Sequence, residues 1–257
     1  MLLLSTVTLK GYGIHRTFDF AKKGGYTGLD LSLSTTEYDL WDGDYILELS
    51  KKFDLPVLSI TAPARGMNEK RVDQVVALAQ KLGAQIITFT PPHFTDKKTA
   101  WYNNYLARIK KNTHLAISIV NVEPKNIFFI IPEHKNASLI EIKKVTGDTT
   151  FNIANIDSVS GTDAIKAQKI LGGTIKNIFF SDKHNNRAGL LPGGAGGGIS
   201  YLPLESLLMK LKTTAYNGFI TIRVNAKAIG VGNDERVLQN LEYIKKYTDK
   251  HFYNFKS

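Results

Sequence analysis

The chain alternates short apolar, β-branched runs with longer amphipathic segments from one end to the other. Runs that are apolar on both faces, separated by helical patterns, indicate parallel strands covered by helices. Eight such units in 257 residues match the usual size of one (β/α)8 barrel. The fold class predicted is therefore α/β, a single TIM barrel domain over residues 1–257. The runs are Leu2–Leu9, Gly28–Leu33, Val57–Thr61, Ile86–Thr90, Leu115–Val120, Thr150–Ala154, Ile175–Phe180 and Phe219–Val224.

Apolar spacing and cap residues predict several of the helices between these strands. Met67–Leu82 carries valines at helical spacing, and Gly83 follows it as a C-cap. Asn233 is a suitable N-cap, and Pro203 suits the first turn of a helix. The stretch Asn126–Glu133 has an irregular pattern and is expected to cover part of the barrel mouth. The other predicted helices are Thr162–Leu171, Leu202–Leu211 and Asp234–Lys246.

Composition and charge narrow the function classes. The chain has no cysteine, which excludes disulfides and thiolate chemistry and fits a cytoplasmic protein. The apolar N-terminal run is too short to span a bilayer, so no membrane partner is predicted. The net charge is +10, but the lysines are spread along helical segments, which is typical of solvated helix faces. No specific nucleic-acid partner is therefore predicted.

Three segments in the right order carry a family resemblance. They are Phe18–Leu31 (FDFAKKGGYTGLDL), Leu82–Phe89 (LGAQIITF) and the long run Ile175–Arg223. The set resembles the xylose isomerase-like TIM barrel family, which includes sugar phosphate isomerases and epimerases and AP endonuclease family 2-like proteins. The resemblance implies a divalent metal, Mn²⁺, Co²⁺, Mg²⁺ or Zn²⁺, at the C-terminal mouth of the barrel.

The positions that match the family's metal ligands carry other residues. The family has Glu, Asp, His and Glu closing strands five to eight, and this chain has Val120, Asn152, Phe179 and Arg223. Asn155 stands where a further His follows strand six. Valine and phenylalanine cannot bind a metal, and the fixed cation of arginine would repel one. The resemblance therefore implies a divergent member with a degenerate metal site, and no metal or other cofactor is predicted.

The alternative is a site rebuilt around a divalent metal from other residues that follow strands. A shift of alignment in strand five would offer Glu123 as a ligand. Proton transfer in a rebuilt isomerase, epimerase or dehydratase would fall to Glu123, His93 or His184. The wider set of candidates is His15, His93, Glu123, His134, Asp157, Asp182 and His184.

Basic residues after the strands favour an anionic ligand, such as a sugar or sugar phosphate. Arginine forks bind carboxylates and phosphates through two parallel hydrogen bonds. Arg223 and Arg187 would anchor the anion while asparagines bind hydroxyls, or Arg223 would instead pair internally with Asp30 or Asp182. The basic set is Arg65, Lys125, Lys183, His184, Arg187 and Arg223. The predicted ligand-binding set is Arg223, Arg187, Asn121, Asn152, Asn155, Asp182, Asp30 and Arg65.

Two further segments allow more than one interpretation. The glycine-rich run Gly193–Gly198 is either a phosphate-binding nest or a plain connection. Trp101, Tyr102 and Tyr105 fit one helical turn packed in the core or in a homodimer contact.

Four functions remain open from the sequence. The one favoured is a divergent isomerase-like barrel that binds an anionic sugar or polyol derivative without metal. The others are an active isomerase with a rebuilt site, a catalytically silent scaffold, and an endonuclease IV-like DNA repair protein. The last needs a multi-metal site whose ligands this sequence lacks.

Overall fold

The computed structural model describes residues 1–128, 130–156, 163–184, 187–194 and 202–254. At its centre eight parallel strands close into a barrel, each paired with its neighbours in chain order and the last with the first. The predicted TIM barrel is confirmed. The strands are β1 Leu2–Ser5, β2 Gly28–Ser32, β3 Val57–Thr61, β4 Ile86–Phe89, β5 Ala116–Val120, β6 Asp148–Asn152, β7 Ile175–Phe180 and β8 Phe219–Ile222.

Helices surround the barrel, and several begin at side-chain caps. Asn68 and Asn233 each accept a hydrogen bond from a backbone N–H in the first helical turn, and Gly83 ends its helix with φ 69°. Pro203 is itself the N-cap and does not lie inside the first turn. The helices are α1 Ile14–Lys23, α2 Gly43–Phe53, α3 Glu69–Leu82, α4 Leu106–Asn112, α5 Leu139–Thr146, α6 Ala164–Leu171, α7 Leu204–Thr213 and α8 Asp234–Thr248.

The first and the sixth strand differ most from the sequence prediction. The first run continues as an apolar segment to Leu9, but the strand ends at Ser5 and Thr6–Leu9 forms a 3-10 turn. The sixth strand begins at Asp148, which is buried because Lys110 pairs with it at 2.6 Å. Because Asp148 is polar, the apolar pattern of the sequence did not indicate the start of this strand.

The loops after β4 and β5 are joined beside the mouth. The stretch expected to be irregular contains a short antiparallel hairpin, Asn126–Ile127 with Ile131–Pro132. Its continuation is bonded to the preceding loop, with the Phe94 N–H donating to the Glu133 carbonyl at 2.9 Å. Trp101 and Tyr102 are buried in the core. In the part of the chain that the structure describes, no helix is long and apolar enough to cross a membrane.

The barrel interior below the mouth is polar. Thr88, Ser118 and Thr150, on three neighbouring strands, form a triangle of hydroxyls 2.7 to 3.0 Å apart. Thr221 donates to the Asn177 side chain at 2.8 Å. Because buried polar groups need partners, this layer holds the strand ends in fixed register beneath the mouth.

Candidate functional site

The central cavity lies at the C-terminal ends of the barrel strands, where TIM barrels carry their functional sites. Its volume is about 560 Å³, within the range of small-ligand pockets. Residues that follow or end all eight strands contribute to its wall. The polar and charged lining residues are Lys10, Ser32, Thr61, Thr90, Asn152, Asn155, Ser181, Arg223 and Asn225.

Arg223 directly follows β8 and projects into this cavity. Its backbone N–H donates to the Phe180 carbonyl at 3.1 Å, and its guanidinium carbon lies 4.3 Å from the centre of the Phe179 ring. Its nitrogens reach the Thr61 and Ser32 hydroxyls only at 3.5 Å. Burial lowers the pKa of Arg223, and the charge of Asp30 opposes that effect. No carboxylate pairs directly with this guanidinium among residues whose placement is described.

Asp30 lies under Arg223 in the barrel interior and is fully buried. Its carboxylate accepts hydrogen bonds from Ser5 and Ser59 at 2.7 Å and from Thr61 at 3.0 Å. The Thr61 oxygen in turn faces the guanidinium. The predicted internal pairing of Arg223 with Asp30 therefore exists only through the Thr61 hydroxyl, and the fork of Arg223 stays open to the cavity.

The three predicted asparagines have different roles. Asn121 is buried and forms a bracket: its side chain donates to the Asn152 carbonyl at 3.0 Å and accepts from the Asn152 N–H at 2.7 Å. Asn155 donates to the Asn121 carbonyl at 3.0 Å. Asn152 and Asn155 line the cavity, whereas the Asn121 amide is used up in holding β5 to β6. Two of the three predicted asparagines therefore line the cavity.

Glu123 is held between two lysines beside the mouth. Lys183 donates to it at 2.7 Å and Lys125 lies 2.8 Å away. Burial acts to raise the pKa of Glu123, but the hydrogen bonds and charges of both lysines outweigh it and lower this pKa. A carboxylate with a lowered pKa is a poor proton acceptor near neutral pH. Glu123 therefore forms ion pairs that join the segments after β5 and β7.

We expect Glu123→Gln to lower the free energy of unfolding by about 1–2 kcal/mol near neutral pH, because buried Lys183 loses its carboxylate. The folded-state pKa is depressed, so the contribution of Glu123 is present above the unfolded pKa of about 4.3 and is lost as pH falls through the folded value. Urea unfolding at neutral and acidic pH measures the difference. Glu242→Gln is the control, because Glu242 forms an exposed ion pair with Lys246. It should change the free energy of unfolding little. A pH-independent loss in Glu123→Gln would contradict the ion-pair role.

The predicted histidines lie outside the central cavity wall. His93 is buried with Nδ1 2.7 Å from the Thr95 hydroxyl, and His134 Nδ1 lies 2.9 Å from the Pro91 carbonyl. His15 is in α1, 3.0 Å from the Lys52 ammonium. His184 lies in a hairpin after β7. None of these histidines lines the 560 Å³ cavity.

The remaining predicted residues are spread around the mouth. Arg187 is exposed, pairs with His184 across the hairpin register, and does not line the central cavity. Asp182 is buried outside that wall, and its Oδ2 has no hydrogen-bond partner among the residues that the structure describes. Arg65 lines an adjoining side cavity, 3.9 Å from Glu133. Asp157, which was predicted as a candidate ligand, and most of the Gly193–Gly198 run lie outside the described residues.

The residues present do not fit the metal that the fold family implies. Val120 and Phe179 are apolar, Arg223 is a cation, and Asn152 Oδ1 already accepts the Ala154 N–H at 3.2 Å. Within the described ranges, no group of three or more His, Cys, Asp or Glu side chains is arranged to hold a metal ion. These side chains therefore support no reaction step that passes through such an ion.

Sequence reasoning missed Lys10, which lines the central cavity and the side cavity. The first apolar run predicts a strand up to Leu9, and Lys10 is absent from the predicted binding set. Its position directly after this run was the available signal, because residues that follow barrel strands lie at the mouth.

Comparisons of the sequence with known proteins assign no function to the chain. No family model matches the chain. An uncharacterized protein of Mycobacterium tuberculosis is 25% identical over 130 residues, 47% of this chain and 46% of the relative. One from Mycobacterium leprae is 26% identical over the same extent. The match thus spans about half the length of these curated relatives.

Solved structures are similar over nearly the whole chain. A xylose isomerase domain-containing protein from Salmonella typhimurium LT2 has a TM-score of 0.72 at 13% identity, covering 97% of both chains. The IolI protein with a bound zinc atom has a TM-score of 0.71 at 13% identity, covering 98% and 99%. An L-ribulose 3-epimerase has 0.65 at 14% identity, covering 96% and 92%. The chain is an α/β barrel, and its fold is that of the xylose isomerase-like TIM barrels.

Proposed function

We propose that this chain is a divergent sugar isomerase/epimerase-like barrel that binds a small anionic sugar or polyol derivative at its mouth, without the divalent metal that the resemblance to its fold family implies. The observation that carries the proposal is the open guanidinium of Arg223. It lies on the cavity wall, its hydroxyl contacts are 3.5 Å long, and its charge is opposed only through Thr61 by buried Asp30. A partly buried cation with no direct carboxylate partner among the described residues can take a ligand anion as that partner.

The rest of the wall suits a polyhydroxylated ligand. Asn152, Asn155 and Ser181 offer amide and hydroxyl groups on the wall that also contains Arg223. Sugars are recognised by such groups together with an anchoring charge. A guanidinium also binds an anion through its in-plane edge, because here one of its faces lies on Phe179. These features favour sugar phosphates and sugar acids over neutral sugars.

The wall favours binding over proton transfer. Among its described lining residues there is no carboxylate, histidine or tyrosine to serve as a general base of ordinary kind. Glu123, His93 and His184, the predicted catalytic residues, lie off this wall. An active isomerase with a rebuilt site and an endonuclease-like protein therefore have no supporting observation at this cavity.

Isothermal titration of the wild-type protein with sugar phosphates, sugar acids and the matching neutral sugars tests the proposal. We expect heat of binding from anions and none from the neutral sugars at the same concentrations. Affinity should fall as salt rises, because the anchoring interaction is electrostatic. Failure of every anion to bind would reject the proposed function.

We also expect the purified, tag-free protein to retain far less than one equivalent of metal after incubation with Mn²⁺, Co²⁺ and Zn²⁺ and extensive dialysis. The reason is that Val120, Phe179 and Arg223 stand at strand ends where ligands would be needed. Elemental analysis measures the retained metal. Near-stoichiometric retention would mean a rebuilt site, and Glu123 and Asp182 would then be the first ligands to replace.

A further inference from the structure

Lys10 is the second cation on the wall of the central cavity. Among the described lining residues, Lys10 and Arg223 are the two charged side chains, and no carboxylate accompanies them. Lys10 also lines the side cavity of about 370 Å³, so it stands where the two spaces meet. A ligand that fills the central cavity therefore meets partly buried Arg223 on the wall and exposed Lys10 at the rim.

The backbone holds Lys10 in a fixed relation to Arg223. The Lys10 N–H donates to the Val7 carbonyl at 3.2 Å, which ties it to the 3-10 turn after β1. Thr8 in that turn donates to the carbonyl of Ile222, the residue before Arg223, at 3.0 Å. Gly11 follows with φ 106°, a conformation that favours glycine. Both cations thus follow neighbouring strands that are bonded together at the mouth.

The charges of the two cations are balanced differently. Arg223 has buried Asp30 beneath it, connected through Thr61. The ammonium of Lys10 makes no hydrogen bond or ion pair with any residue that the structure describes. Glu37 lines only the side cavity. Across the described part of the wall, the rim of the central cavity therefore presents a positive charge with no protein partner.

The two cations also differ in how they hold an anion. A guanidinium with one face on an aromatic ring binds through its edge, where two parallel hydrogen bonds suit a carboxylate or a phosphate. An ammonium on a flexible stem is a point charge that accepts a phosphate or a carboxylate from several directions. The amides of Asn152 and Asn155 lie on the same cavity wall, where they would face the hydroxyls of such a ligand.

We infer that the ligand is a polyol with an anionic group at each end, one held by the fork of Arg223 and the other by the ammonium of Lys10, each a carboxylate or a phosphate. This inference rests on the proposed function, because it needs an anion at Arg223. It adds the class of ligand and a second anchoring residue. A sugar acid that is phosphorylated at its far end is the simplest member of the class, and an aldaric acid is the other.

Titration calorimetry with a matched set of six-carbon probes tests the inference. The probes are 6-phosphogluconate and glucarate with two anionic ends, gluconate and glucose 6-phosphate with one, and glucitol with none. We expect the two-ended probes to bind at least about tenfold more tightly than the one-ended ones. Comparing the affinities of 6-phosphogluconate and glucarate shows whether Lys10 binds a phosphate or a carboxylate more tightly.

Lys10→Ala should remove the advantage of the two-ended probes, a loss of about tenfold, and leave gluconate binding nearly unchanged. Lys227→Ala is the matched control, because Lys227 is an exposed mouth lysine that does not line the central cavity. It changes the net charge equally and should leave the advantage intact. If both variants lost the affinity advantage of the two-ended probes equally, the advantage would come from long-range charge alone. That result would overturn the inference.

The two proposals fail in different ways. If gluconate, glucose 6-phosphate and 6-phosphogluconate bind wild type with the same affinity, the two-ended class is wrong and an anion site at Arg223 stands. If no anion binds at any salt concentration, both proposals are overturned.

Discussion

Replacing Arg223 by alanine is expected to weaken binding of a sugar phosphate or sugar acid by about a hundredfold or more. The guanidinium is the charged group that the cavity presents with long, weak protein contacts, 3.5 Å to Thr61 and Ser32. Removing it also leaves buried Asp30 without the cation above it, which further disfavours an anion in the cavity. Titration calorimetry of wild type and variant at low salt measures the loss.

Two further variants make this prediction specific. Arg223→Lys keeps the charge but loses the planar fork, so we expect an intermediate loss of about tenfold. Arg187→Ala removes an exposed arginine in the hairpin after β7. Because Arg187 does not line the cavity wall, this variant should change ligand affinity less than about twofold. Equal binding by wild type and Arg223→Ala would contradict the site, and an equal loss in Arg187→Ala would move the anchor to the hairpin.

The barrel could be predicted from the sequence because its signal is repeated. Most strands are buried, largely apolar runs, and they are followed by amphipathic segments, in places with a cap such as Asn233 or Gly83. The predicted strand boundaries are wrong where the residues of a strand depart from that pattern. The start of β6 at Asp148 depends on Lys110, which is distant in sequence, and no periodicity can show such a partner.

The site was predicted less completely than the barrel. Arg223, Asn152 and Asn155 line the cavity because each lies at or just beyond the end of a strand, and strand ends meet at one mouth in this fold. Asn121 lies at an equivalent place, yet its amide bonds to the Asn152 backbone. Arg187 also follows β7, but it is exposed and does not line the wall, although its neighbours Ala188 and Gly189 do. The direction of a side chain in a loop is set by contacts that the local sequence does not encode.

Replacing Asp30 by alanine is expected to lower the free energy of unfolding by about 3–5 kcal/mol. The carboxylate is the acceptor for Ser5, Ser59 and Thr61, and it is the negative charge beneath Arg223. Its loss leaves three buried hydroxyls to find new partners and one guanidinium without a counter-charge. Urea unfolding measures the change. Asp44→Ala, which breaks an exposed pair with Lys81, is the control and should cost less than about 1 kcal/mol.

Asp30→Asn separates the two roles of this side chain. The amide oxygen still accepts from the hydroxyls, so we expect a smaller loss of stability, about 1–3 kcal/mol. The negative charge below Arg223 is gone, however, and an anion in the cavity should bind several-fold more tightly at low salt. Calorimetry of the folded variant measures that gain. Weaker anion binding by Asp30→Asn would instead mean that Asp30 positions the guanidinium through Thr61, and that its geometry outweighs its charge.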